Sequence, residues 1–142
     1  MLSPARRLLK FIHPEGIPWP GTTFYNAISR SAIFRKNYEL VAEDILSYCP
    51  EGSLLDIGTG PGRLLIELRR KSPLFRLTGV DSSGSMVVKA RKNIVRAGLS
   101  HAIDVEVGNA SFLPFHGESF NAVVSTGSIH HWKEPAKGLN EV

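Results

Sequence analysis

The stretch from Leu54 to Gly62 constrains this chain more than any other. An apolar run closes on Asp56 and Ile57, and glycine then stands at every second position, Gly58, Gly60 and Gly62. Short apolar runs of this kind read as strands buried on both faces, as in parallel sheets. Ser53 to Ile57 is therefore expected to be such a strand. Glycines let the chain turn sharply and let a ligand approach the backbone. Arg63 to Leu68 then reads as a helix, whose unpaired first-turn N–H groups would face whatever sits over the glycines. A strand, a glycine loop and a helix in that order make a nucleotide-binding unit and imply an α/β fold.

The spacing separates two nucleotide classes. A dinucleotide fingerprint needs glycine at its first, third and sixth positions. Counted from Gly58, the sixth position is Arg63, so a nicotinamide-dependent oxidoreductase is disfavoured. Three further segments follow. Phe75 to Val80 reads as a second strand with Asp81 at its tip. Ligands in open α/β sheets sit at the carboxyl ends of strands, and a carboxylate there can accept bonds from both ribose hydroxyls. The competing reading of Asp81 is an acid that caps the helix Ser85 to Ala97. Ile103, Val105 and Val107 alternate as a third strand should, and Gly108-Asn109-Ala110-Ser111-Phe112-Leu113-Pro114-Phe115 follows. Phe120 to Ser125 is a fourth strand, followed by Thr126-Gly127-Ser128-Ile129-His130-His131-Trp132.

These four ordered motifs resemble those of the class I S-adenosylmethionine-dependent methyltransferases. The style is that of the type 11 group, which acts mostly on small molecules, and the resemblance runs from about Tyr25 to Val142. It implies a Rossmann-like three-layer sandwich with a partial parallel sheet of strand order 3-2-1-4. It implies S-adenosylmethionine as cofactor and a small-molecule methyl acceptor. Asp56 with Gly58, Thr59, Gly60 and Gly62 would hold the methionine portion. Asp81, with Ser82 beside it, would hold the ribose, and Met86 would pack on the adenine face. Asn109 and Ala110 would meet the adenine edge, and Ser125 would end the fourth strand beside the methyl donor.

Some positions keep a second reading. The family usually has Gly-Asp-Ala where Gly108-Asn109-Ala110 stands. An amide oxygen still accepts the adenine amine, but without charge assistance. Asn109 also reads as a turn residue, and Met86 as core packing. Tyr25 falls in a segment like the N-terminal helix that the family lays over its cofactor; otherwise it is a core aromatic. His130 or His131 could act as a base for an acceptor that must lose a proton, and the catalytic residue is left unassigned. The fourth strand lacks the Asn/Asp-Pro-Pro-Tyr type of ending, which argues against methylation of base or amide nitrogens.

Composition bounds the rest. With 142 residues the chain can form one domain with a real core. The net charge of +4 comes partly from two basic clusters, Arg69-Arg70-Lys71 and Lys89, Arg91, Lys92 and Arg96. No aromatic residues interleave them to stack bases, so they read as solvated helix faces rather than a nucleic-acid surface. There is no Cys/His cluster at metal-ligand spacing, no apolar run long enough to span a membrane, and no signal-peptide pattern at the start. The single cysteine, Cys49, fits a reducing, cytoplasmic setting.

Residues 1–35 read as an N-terminal extension or cap, and 36–142 as the cofactor-binding core. Phe34 to Cys49 opens that core as an amphipathic helix with Tyr38, Val41, Ile45 and Cys49 on one stripe. The complete family fold has strand order 3-2-1-4-5-7-6, of which four strands stand here. The chain is accordingly expected to be a fragment, incomplete at its C-terminus. Its fourth strand would then be a bare edge containing Ala122, Val123 and Val124, open to self-association. A non-catalytic binding or scaffold remnant stays open beside the enzyme reading.

Overall fold

A computed structural model of the chain describes residues 8–11, 32–129 and 132–140. The described elements are β1 (Leu8–Phe11), α1 (Ala32–Tyr48), β2 (Gly52–Ile57), α2 (Arg63–Lys71), β3 (Phe75–Asp81), α3 (Gly84–Arg96), β4 (Ile103–Val107), β5 (Ala122–Thr126) and α4 (Pro135–Asn140). The strands form one parallel sheet in the order β1-β5-β2-β3-β4. The four strands expected from the sequence thus take the expected order, and after β4 the strand order turns back to place β5 on the other side of β2.

Right-handed crossovers put α2 and α3 on one face of the sheet, where α1 joins them. Each helix buries the stripe that its sequence marks. Ala42 and Ile45 of α1, Leu64, Leu65 and Leu68 of α2, and Val87, Ala90 and Ile94 of α3 pack on Leu54, Phe75, Leu77, Ile103, Val105 and Val124. Tyr38, Val41 and Cys49 border this core and are half-buried. Lys71 of α2 pairs with Glu43 of α1 at 2.8 Å on the surface. The Ser83 hydroxyl caps α3 by accepting from the Met86 N–H.

The other face is covered differently. The long crossover from β4 to β5 lies over it, so Leu55, Ile57, Val80 and Ala110 pack with Leu113, Phe115, Phe120, Val123 and Trp132. Phe115 and Phe120 meet edge to face, with centroids 5.0 Å apart. The short α4 lies against this layer. A Cβ on its Gly138 would come 2.6 Å from Trp132 Cε3 and 3.3 Å from Ala110 O. Among the described residues this face is therefore covered mostly by loop.

One expectation is overturned. The fourth of the strands expected from the sequence, β5, is not a bare edge. Leu8–Phe11 pairs with it in parallel, in the register Leu8↔Val123 to Phe11↔Thr126. The unblocked edge of β5 does recruit a strand, and that strand comes from the same chain. At the opposite side of the sheet, β4 is guarded by a side chain. Arg91 reaches from α3 and donates to Val105 O through Nε at 3.0 Å and Nη2 at 2.7 Å. Among the described residues no helix is long and apolar enough to cross a membrane.

Candidate cofactor site

The site forms where β2 and β5 part, at the carboxyl ends of the strands. In open α/β sheets this is the position at which a crevice opens. After Ile57 the chain makes its turn with Gly58 at φ 77°, and a Cβ there would collide with the Ser128 side chain. Gly58 and Thr59 donate their N–H groups to Val80 O at 2.8 and 3.0 Å, which presses the loop onto β3. This close approach also depends on Gly79. A Cβ on Gly79 would come 2.8 Å from both Leu65 Cδ1 and Thr59 Cγ2. Above Gly60, by contrast, a Cβ would meet nothing within 4 Å, so the crest of the loop is open.

Asp81 fixes that crest. Its Oδ2 accepts from the Gly60 N–H at 2.8 Å, and its Oδ1 accepts from the Ser83 N–H at 2.9 Å. One carboxylate thus anchors the glycine loop and starts α3, and the remaining lone pairs on both oxygens are left for a ligand. The competing reading of Asp81 as the cap of the following helix is corrected: Ser83 is the cap, and Asp81 bonds the N–H of that residue.

Asp56 behaves differently. It is 1% exposed, and neither its Oδ1 nor the hydroxyl of buried Thr59 has a hydrogen-bond partner. Burial pushes its pKa up to about 7; Thr59, close by but not in bonding geometry, opposes the rise, and the Asp81 charge adds to it. A buried acid and a buried hydroxyl with unmet bonds beside an open glycine turn form a receptive site for a cationic group.

The rim of the crevice is drawn in by backbone bonds. Gly108 donates to Asp81 O at 3.1 Å, which brings the end of β4 alongside. Asn109 then makes a tight turn: its Oδ1 accepts from the Ser111 N–H at 2.9 Å, and its backbone oxygen accepts from the Phe112 N–H at 2.9 Å. Asn109 is exposed and Ala110 buried. The turn reading and an acceptor role are compatible, since the amide oxygen keeps a second lone pair. Ser82 is exposed in the turn after β3, while Met86 is 7% exposed in the first turn of α3.

Ser125 is 1% exposed, and its hydroxyl bonds to Ser128 at 2.7 Å. Ser128 is a hub that the sequence did not reveal. Its hydroxyl donates to Ile57 O at 2.8 Å, accepts from Trp132 Nε1 at 3.1 Å, and meets Ser125. It therefore ties β5 to the start of the glycine loop. A lone serine after a strand carries no pattern that could have announced this. Gly79 did carry a signal, because an isolated glycine within a strand marks a close backbone approach. Tyr25, His130 and His131 lie outside the described residues. Among the described residues no group of three His, Cys, Asp or Glu side chains could hold a metal ion.

Comparison with known proteins gives a consistent picture. A model of the family described as "methyltransferase domain" matches residues 54–142. The ubiquinone/menaquinone biosynthesis C-methyltransferase of Geotalea daltonii is 27% identical over 124 residues, 87% of this chain and 52% of that protein. The demethylmenaquinone methyltransferase of Thermotoga maritima is 34% identical over 101 residues, 71% of this chain and 41% of that protein. A solved structure from Methanococcus maripaludis, described as an S-adenosylmethionine-dependent methyltransferase, superposes with a TM-score of 0.79. It is 29% identical, and the match covers 89% of this chain and 61% of that one. The chain spans about half the length, or less, of the curated relatives it matches.

Proposed function

The chain belongs to the methyltransferase-domain family, and from that premise we propose that it binds S-adenosylmethionine over the tips of β2, β3, β4 and β5 and serves methyl transfer to a small acceptor. The observation that carries this reading is the unmet pair, Asp56 Oδ1 and Thr59 Oγ1, beside a glycine loop held by Asp81. A ligand with an ammonium end suits the acid, and its carboxylate suits the free N–H groups that open α2. The free lone pairs of Asp81 suit vicinal ribose hydroxyls. The Asn109 amide and the Ala110 N–H would read the adenine edge, with Met86 at its face. Ser82 would flank the ribose. Ser125 belongs to this proposal as the residue that sets Ser128 against the loop.

S-adenosylmethionine supplies an already activated methyl group, on a sulfonium. What remains for the protein is to bind, orient and exclude water, which is where much of the barrier reduction in such a transfer originates. The names of the relatives support a first choice of acceptor class. Several are named for quinones or their precursors, among them a 2-methyl-6-phytyl-1,4-hydroquinone methyltransferase of rice. We take a hydroquinone ring as the first acceptor to test. Methylation at a ring carbon requires loss of a proton, the step for which His130 or His131 is proposed. Residues 1–35, of which Leu8–Phe11 joins the sheet as β1 and Ala32 opens α1, are proposed to supply the cap over this site, with 36–142 as the core.

The test begins with calorimetry of the full chain against S-adenosylhomocysteine and NAD. Binding of the first and not the second is expected; the reverse result overturns the reading. Transfer of labelled methyl to reduced quinones then tests the chemistry. Cofactor binding without transfer to any acceptor would instead favour the binding-only role.

A further inference from the structure

We propose that Trp132 is a positioning residue of the cofactor site, whose one side chain sets both the glycine loop and the Asn109–Ala110 turn. This rests on the reading of the crevice between them as the place of the methyl donor.

The hold on the loop runs through one hydroxyl. Ser128 Oγ donates to Ile57 O at 2.8 Å and accepts from Trp132 Nε1 at 3.1 Å. A hydroxyl has a single proton, so Ser125 is the donor in the bond of 2.7 Å between the two serines. One donated and two accepted bonds use the whole capacity of the Ser128 hydroxyl, which fixes it in direction as well as position. Its side chain fills the space in which a Cβ on Gly58 would stand. An indole N–H drawn out of water needs a partner, and Trp132 finds one where β2 passes into the glycine loop.

The hold on the turn runs through the ring. Trp132 packs with Leu55, Ile57, Val80 and Ala110. Gly138 of α4 is buried against it. A Cβ on Gly138 would come 2.6 Å from Cε3 of the ring, 2.8 Å from Cζ3 and 3.3 Å from Ala110 O. Glycine inside a helix costs stability relative to alanine. Gly138 does not have a positive φ, so the space taken by the ring, and not the backbone conformation, calls for glycine here. The start of α4 is fastened to the same turn twice more. Ser111 Oγ donates to Glu134 O at 3.4 Å, and Lys137 Nζ stands 5.4 Å from the centroid of the Phe112 ring. Trp132 thus bears on the end of β2 through Ser128 and on the turn after β4 through Ala110 and Gly138. The donor is proposed to lie between those two places, and Trp132 acts on it through them.

The experiment compares the wild-type chain with Trp132→Phe, which keeps a ring and removes the N–H, and with Gly138→Ala, which pushes the ring aside. Hydrogen exchange is measured first, without ligand. The Gly58 and Thr59 amides, which bond Val80 O, should exchange about 2- to 10-fold faster in Trp132→Phe, with Leu77 and Ile103 in the core unchanged. A purely structural role would instead raise exchange at all four amides alike. Calorimetry follows, and the dissociation constant for S-adenosylhomocysteine should rise about 2- to 10-fold in both variants. A wild-type chain that binds no S-adenosylhomocysteine overturns the cofactor reading, and loop exchange then decides alone whether Trp132 holds the loop. Unchanged exchange of Gly58 and Thr59 in Trp132→Phe, a rise shared equally by Leu77 and Ile103, or an unchanged dissociation constant in both variants overturns the proposal.

Discussion

Replacing Asp56 by Asn should shift stability in the variant's favour by about 3 kcal/mol between pH 5 and pH 8. Asp56 is fully buried and its pKa is raised from 3.8 to about 7. Between those values the unfolded chain has lost the proton and the folded chain has kept it. Stability from this group is therefore full below the unfolded value, falls as pH rises, and levels off above about pH 7. The fall from pH 5 to pH 8 covers about two of these pH units, or about 3 kcal/mol at 1.36 kcal/mol per unit. Asparagine cannot ionise, so its curve lacks this fall. The cost of burying its amide, about 1–3 kcal/mol, applies equally at both pH values and cancels in the comparison. Urea unfolding of both proteins at pH 5 and pH 8 measures the difference directly. Stability–pH curves that run parallel for wild type and Asp56→Asn would refute the reasoning. The same substitution should weaken S-adenosylhomocysteine binding at pH 8, since it removes the proposed partner of the ammonium group.

Four other substitutions test the remaining structure. Asp81→Ala removes the ribose acceptors and the anchor of Gly60, and should lower cofactor affinity by about 1.5–3 kcal/mol, or about 10- to 150-fold by calorimetry. Asn109→Asp keeps the turn to Ser111 and supplies a charged acceptor, so the dissociation constant should fall modestly; weaker binding would place the adenine elsewhere. Gly79→Ala puts a methyl group 2.8 Å from Leu65 and Thr59 and should cost about 1–3 kcal/mol in thermal or urea unfolding. Arg91→Ala uncovers the Val105 carbonyl on the edge strand β4 and should raise self-association, read by light scattering as a concentration-dependent increase in mass.

The sheet and its ligand-bearing tips were legible because they rest on local pattern. The apolar run through Leu54 and Leu55, the glycines after it, and the acids that end the strands all report on backbone geometry that only a few residue types can supply. Asp81 is an instructive case. Sequence offered two uses for it, ligand acceptor or helix cap; the cap is Ser83, and the two Asp81 oxygens bond the Gly60 N–H of the loop and the N–H of that cap. The missed features are those set by distant partners. Leu8–Phe11 is a four-residue run too short to show a period, and what makes it a strand is the open side of β5. Ser128 has no local signature either, since its importance comes from Ile57, Trp132 and Ser125 converging on one hydroxyl.

The pairing of β1 with β5 also sets an order of events in folding. Among the described strands β1 has one neighbour, and that neighbour is the last of them in chain order. Contacts such as Leu8 with Val123 close nearly the whole chain into one loop, and non-local parallel pairing of this kind is slow. The three strands β2, β3 and β4 can assemble first, because each lies beside its sequence neighbour. β5 must then slide in against β2, and only afterwards does β1 find a partner. During that interval both Leu8–Phe11 and one side of β2 are unpaired, which makes this the stage most exposed to intermolecular capture. Amide protons of Leu8–Phe11 should therefore gain protection last in refolding.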